Sequence, residues 1–271
     1  MRRNYRTEGV CLRRLDYGES SQVAAFLTPD HGQVAVIARG IRRASKHGIS
    51  RALDLGARYR ITYVERPAAS LHFLSESTMT DGFLGLRRHA ERAVCAYYAI
   101  ELMRDLTTED QGGIELYELL LRTLRNVGRG KELGLSVLRL EIGGLKHYGA
   151  CPNFGVCAEC GKPLSREGRY IFSASHGGPL CQECGREIYD GPDRSSILVR
   201  GEQLEDLADL SCGLFVSENA KTFNPARIVE ASQVLRFHIQ YLLGKKLELW
   251  KYLHGRHLSK SIQAIRRSAN L

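Results

Sequence analysis

The residue pattern predicts an α+β chain: a small five-stranded barrel over residues 1–80, then a mostly helical domain over 81–271 with a four-cysteine module inserted at 151–185. Three observations carry that prediction. Short runs of β-branched and aromatic residues fill the first eighty positions, and beyond them apolar residues recur every three or four positions. Within the second region, Cys157-Ala158-Glu159-Cys160-Gly161 is echoed after an interval of 20 residues by Cys181-Gln182-Glu183-Cys184-Gly185.

The runs 8–14, 22–28, 33–39, 57–65 and 70–77 read as strands, with Pro29-Asp30-His31-Gly32 and Pro67-Ala68-Ala69 as turns between them. Five strands of this length suit a small closed barrel. The OB-fold is the usual five-stranded solution, and an SH3-like barrel gives much the same pattern. Between the third and fourth runs, Arg39, Arg42, Arg43, Lys46 and Arg51 supply five fixed positive charges, and no acid occurs between Asp30 and Asp54. Glycine and serine within this stretch permit close backbone approach. A basic loop hung from a barrel is how a groove that tracks phosphates is built, so these five residues are the candidate DNA contacts.

Past residue 80 the stretches 83–106, 114–127 and 132–148 read as amphipathic helices, with Gly128 and Gly149 where helix ends belong. Asn224-Pro225 supplies an N-cap and first-turn proline for a further helix running to about residue 243. Tyr97, Tyr98, Tyr241 and Trp250 fall inside these patterns and read as packing residues rather than stacking platforms.

Each Cys-x-x-Cys-Gly segment forms a tight turn that aims two thiolates at one metal. Cys157, Cys160, Cys181 and Cys184 together complete the tetrahedral shell of a single structural zinc ion and leave no open position for water. Cys151 and His176 lie near in sequence but lack a partner at ligand spacing, and read as a buried thiol and a loop imidazole. Cys11, Cys95 and Cys212 show no pairing logic, so no disulfide framework is expected. Zinc thiolates, the lack of an apolar run of bilayer length and the lack of a signal-like start place the expected location in a reducing cytoplasm.

The net charge of +9 is unevenly spread. Lys plus Arg against Asp plus Glu is 13 to 7 over residues 1–80, 10 to 10 over 81–150, 3 to 3 over 151–185 and 13 to 10 over 186–271. Basic excess sits at the two ends and not on the cysteine module, which makes the module a poor phosphate-binding surface. The stretch 249–271 has no acid and carries Lys251, Arg256, Lys260, Arg266 and Arg267, with His254 and His257, so it is a second candidate phosphate contact.

No phosphate-binding loop, His-Glu-x-x-His helix or Gly-x-Ser-x-Gly elbow occurs, and a non-enzymatic protein is expected. The rival is a nucleic-acid-processing enzyme with a structural zinc ribbon. It would need acidic ligands such as Asp54, Asp81 or Glu101 gathered into one cluster. An adaptor binding only protein would leave the basic loop unexplained.

The segments Tyr5-Arg6-Thr7-Glu8-Gly9-Val10, Tyr17-Gly18-Glu19-Ser20, Leu27-Thr28-Pro29-Asp30-His31-Gly32 and Ala38-Arg39-Gly40-Ile41-Arg42-Arg43 resemble, in order and spacing, the N-terminal domain of the bacterial DNA repair RecO family. The knuckles fall where many of its members carry theirs, and Arg39 keeps the charge of a position that is commonly lysine. The resemblance implies an OB-fold, a helical domain and a zinc finger that some members lack. It also implies a recombination mediator that binds single- and double-stranded DNA and anneals complementary strands. Its implied partners are RecR, single-stranded DNA-binding protein through its C-terminal tail and, functionally, RecA, in a bacterial cytoplasm with nucleoid association during repair.

Overall fold

The computed structural model describes residues 3–42, 52–67, 69–108, 113–189, 195–213 and 225–253. The Arg43, Lys46 and Arg51 positions, Asn224 and the tail from His254 onward lie outside the described residues. Two compact units divide the chain: one runs to Leu133 and takes the chain back at Leu249, the other is Gly134–Glu248.

In the first unit β1 (Asn4–Tyr17), β2 (Ser21–Thr28), β3 (Gly32–Ala38), β4 (Arg58–Val64) and β5 (His72–Asp81) close into a barrel in the order β1-β2-β3-β5-β4. β3 and β5 pair parallel, whereas β4 returns antiparallel to β1. That order is the OB-fold, and the predicted barrel is present. β1 extends beyond the predicted run because it serves two neighbours. Its first half lies against β4 and its second against β2, with a register break between Cys11 and Arg13. The exposed second half, Arg13 to Tyr17, lacks the alternation that marks a half-buried strand.

Alternating residues fill the barrel: Ala24 and Phe26 from β2, Val34, Val36 and Ala38 from β3, Tyr59, Ile61 and Tyr63 from β4, with Cys11 and Leu53. Burial pushes the Cys11 thiol up to about 12, so it behaves as a small apolar side chain. Gln22 is buried with both amide ends used, its Nε2 donating to Asp16 Oδ1 at 2.9 Å and its Oε1 accepting the Leu53 N–H at 2.8 Å. This pair of bonds pins the returning end of the basic loop to the barrel.

A 3-10 turn (Leu84–Arg87), α1 (Ala90–Leu106) and α2 (Ile114–Arg129) complete this unit. The expected helix over 83–106 is therefore broken, at an extended His89. Close packing explains the break: a Cβ on Gly85 would lie 2.4 Å from the Gly128 carbonyl oxygen, so the short turn seats its own glycine against α2. Gly128 consequently lies inside α2, and Gly130, at φ 72°, is the residue that ends it. Arg58 joins the barrel to α2, pairing with Glu8 and donating from Nε to the Tyr117 hydroxyl at 3.1 Å.

The second unit holds α3 (Leu133–His147), β6 (Arg169–Ser173), β7 (Gly178–Leu180), α4 (Gln182–Tyr189), β8 (Ser196–Arg200), α5 (Gly201–Cys212) and α6 (Pro225–Leu243). Gly149 ends α3 as expected, with φ 64° and the N–H of Ala150 donating to Leu145 O at 2.9 Å. α6 opens on Pro225. β7, β6 and β8 form an antiparallel three-stranded sheet that periodicity did not foresee, since its strands run only three to five residues. Of the tyrosines read as packing residues, Tyr98 is buried, but Tyr97 and Tyr241 are 40% and 48% exposed.

Candidate metal centre and nucleic-acid face

The first knuckle is a turn closed by its own backbone. The Cys157 N–H donates to Lys162 O at 2.8 Å and the Gly161 N–H to Cys157 O at 2.9 Å, with Gly161 at φ 73°. That left-handed turn is why a glycine follows the second cysteine. In the second knuckle the chain passes from β7 through Cys181 into α4, so Cys184 lies in the helix's first turn, and the Gly185 N–H donates to Cys181 O at 2.8 Å. The Ala158 N–H reaches Pro179 O at 2.8 Å and ties the first knuckle to β7. Lys162 pairs with Glu183 across the two knuckles.

These turns bring the ligand atoms of Cys157, Cys160, Cys181 and Cys184 within 4.8 Å of one another, a set that could hold a metal ion. Cys160 and Cys181 Sγ lie 3.7 Å apart. Thiolates at about 2.3 Å around a tetrahedral zinc are separated by about 3.8 Å, whereas a disulfide would need about 2 Å. Burial acts to raise the Cys157 thiol, but backbone hydrogen bonds from Cys160, Cys181 and Glu159 outweigh it and bring the group down to about 6. Cys184 is pushed up to about 12, first by its hydrogen bond with Cys181 and then by desolvation and the other thiols. Thiolates accumulating at one point resist further ionisation, and a cation relieves that repulsion. Cys151 stands outside the cluster, its Sγ facing Pro152 O at 3.8 Å, and burial raises its thiol. His176 Nδ1 is engaged by Ser173 Oγ at 2.9 Å.

On the barrel, Arg39 and Arg42 follow β3 and are exposed. Arg39 stands with its guanidinium carbon 4.8 Å from the Phe73 ring centroid, and Arg66 stands over the same ring at 4.7 Å. Arg42 Nη1 lies 3.2 Å from Asp16 Oδ2. The acid-free stretch of sequence thus meets an acid from β1. Phe73 and Arg66 were passed over in the sequence because one sits in a predicted strand and the other beside a turn. The signal available was strand alternation: Leu74 packs on the core, so its neighbour Phe73 faces outward.

Asp54, Asp81 and Glu101 do not gather. Asp54 pairs with Arg87 at 3.0 Å, Asp81 Oδ1 accepts the Phe83 N–H at 2.8 Å, and Glu101 accepts the Leu249 N–H at 3.2 Å. No helix among the described residues is long and apolar enough to cross a membrane.

An OB-ordered barrel with arginines on its outer surface, joined in one chain to a helical region bearing a four-thiol cluster, defines a class: OB-barrel proteins with a cysteine module that could hold a metal ion. Comparison with known families narrows it. Residues 1–83 match the family model for Recombination protein O N terminal, and residues 87–251 match that for Recombination protein O C terminal. The DNA repair protein RecO of Anaeromyxobacter sp. (strain K) is 34% identical over 245 residues, covering 90% of this chain and 94% of that protein. The DNA repair protein RecO of Myxococcus xanthus is 31% identical over 246 residues, with the same coverage of each. The chain belongs to the RecO family.

Proposed function

We propose that this chain is a DNA repair and recombination mediator. It binds single- and double-stranded DNA on its barrel and anneals complementary strands. With RecR it helps load RecA onto strands coated by single-stranded DNA-binding protein, whose C-terminal tail it also binds. The observation that carries the reading is the family match over both parts of the chain, together with relatives named as DNA repair proteins. Physical support comes from the barrel. Arg39 and Arg42 open a basic run of sequence completed by Arg43, Lys46 and Arg51, and such a concentration of charge gains affinity by displacing the counterions that surround phosphates. A second basic stretch, from Lys251 to Arg267, allows two strands to be held by one body, which raises their local concentration.

In this reading Cys157, Cys160, Cys181 and Cys184 hold one zinc ion whose part is structural, because four thiolates leave no coordination position for water. The backbone bonds within each knuckle and the Lys162–Glu183 pair tie the two knuckles to one another, and the Ala158 N–H ties the first to β7. The barrel 1–80 acts as the DNA-binding domain, and 151–185 as a stabilised insertion within the helical domain 81–271.

The test is the annealing rate of labelled complementary strands without ATP, bare and coated with the cognate single-stranded DNA-binding protein. Acceleration in both conditions, reduced when Arg42 and Arg43 are neutralised together, is the expected result. Strand cleavage with Mg²⁺ or Mn²⁺, or no acceleration over buffer, overturns the mediator reading.

A further inference from the structure

We infer that Phe73, flanked by Arg39 and Arg66, is a stacking site for one unpaired base of a single strand. The inference rests on the proposal that the barrel binds DNA, and it adds the feature by which the barrel tells a single strand from a duplex.

The placement follows from strand register. Leu15 lies opposite Val23, Val23 opposite Ile37, Ile37 beside Phe73 and Phe73 opposite Val64. Residues paired across a sheet share a face, and the alternate positions Val36, Leu74 and Tyr63 belong to the core. The row therefore runs along the outside of the barrel, where Leu15 is 49% exposed and Phe73 only half-buried. Leu15 is the exposed end of this apolar row, and Val23, Ile37, Phe73 and Val64 are partly buried along it. The row suits a flat apolar ligand.

The two arginines supply the complementary charge. Both are exposed, both stand within 5 Å of the Phe73 centroid, and neither has a carboxylate within ion-pair distance among the described residues. Both guanidinium groups lie over the Phe73 ring, so a stacking base takes the place of one of them, and the released arginine meets the sugar-phosphate attached to that base. Two hydrogen bonds hold the turn after β4: the Arg66 N–H donates to His72 Nδ1 at 3.2 Å and the Ala69 N–H to Arg66 O at 3.1 Å. The arginine is thereby carried beside the start of β5. The strand 2–3 face and the β4–β5 loop are also the parts of an OB barrel suited to oligonucleotides.

Charge alone does not select a single strand, because a duplex presents phosphates more densely. A π-face does. A paired base is covered above and below by its neighbours, whereas an unpaired base can stack on Phe73 for about 1–3 kcal/mol. That energy corresponds to a preference of roughly 5- to 150-fold.

The experiment measures affinity for a short thymidine oligonucleotide and for a duplex of equal length. Wild type is compared with Phe73→Leu, which keeps an apolar side chain in the row and removes the ring, and with Phe73→Trp. The expected result is a roughly 5- to 150-fold loss of single-strand affinity in F73L with less than about twofold change for duplex. F73W should retain binding, and its added indole emission should be quenched by the oligonucleotide beyond the change seen in wild type, whose one tryptophan is Trp250. Equal losses for both ligands, no loss for either, or unquenched F73W emission at saturation overturns the stacking site alone. Wild type that binds neither ligand overturns the DNA-binding reading and this inference with it.

Discussion

Arg42 and Asp16 form an ion pair at 3.2 Å between the start of the basic loop and the end of β1. Twenty-six positions separate them in the chain, so the acid that tempers the loop's charge is supplied by the fold. Both side chains are well exposed, and the pair itself contributes little to stability, about 0–1 kcal/mol.

Replacing Asp16 by Asn should therefore leave the unfolding midpoint almost unchanged while strengthening DNA binding. The Asn side-chain oxygen can still accept from Gln22, and Arg42 is released to a phosphate. We expect affinity to rise a few-fold and the slope of log affinity against log salt to steepen by roughly one contact. Titration of a labelled oligonucleotide at several salt concentrations measures both; an unchanged slope would show that Arg42 stays off the DNA path.

Metal removal should act locally. Structural zinc contributes roughly 10–16 kcal/mol to folding of small modules, so Cys157→Ser, or treatment with a strong chelator, should open the knuckles to protease. The barrel, whose core is built from its own strands, should retain DNA binding. Metal analysis of the purified protein should give one zinc per chain. A mutant as protease-resistant as wild type within 151–185 would refute the structural role.

A buried ion pair in the second unit, Arg236 Nε donating to Glu141 Oε1 at 2.9 Å, joins α3 to α6 with Glu141 fully buried and Arg236 2% exposed. Removing one partner strands the other charge, so Arg236→Met should destabilise by about 3–5 kcal/mol in urea unfolding. Glu141→Leu combined with Arg236→Met should recover much of that loss, since neither charge is then desolvated. Additive losses in the double variant would contradict this account.

His238 sets a pH dependence. Burial lowers its pKa below the ordinary 6.5, its Nε2 donates to Ala150 O at 3.0 Å, and Nδ1 is buried without a partner among the described residues. The unfolded chain then binds a proton more readily than the folded one. Stability from this group is complete above about pH 6.5 and is lost as pH falls from there towards the depressed folded value. Thermal midpoints between about pH 8 and pH 5 should decline less steeply in His238→Gln than in wild type, and parallel curves would exclude the histidine as a source.

Much of the architecture was legible because its signals are local. Runs of β-branched and aromatic residues between turns marked all five barrel strands, glycine at φ 64° ended α3 where periodicity stopped, and two Cys-x-x-Cys-Gly segments announced one four-thiol cluster. The misreadings have an equally physical origin. Gly128 and Gly130 look alike in sequence, and only the packing of Gly85 against the Gly128 carbonyl decides which of them lies within the helix. The short strands β6, β7 and β8 carry too few residues to display a period.

By itself the sequence determined the five barrel strands, the helices α2, α3 and α6, the barrel's basic balance and the identity of the four thiols, because backbone preference, net charge and ligand spacing act between near neighbours in the chain. The tertiary structure alone decided strand order, the meeting of Arg42 with Asp16, and the convergence of Arg39 and Arg66 on Phe73. Those relations depend on closing long loops into one barrel register, and register is set by the simultaneous burial of alternate residues on every strand rather than by any short segment.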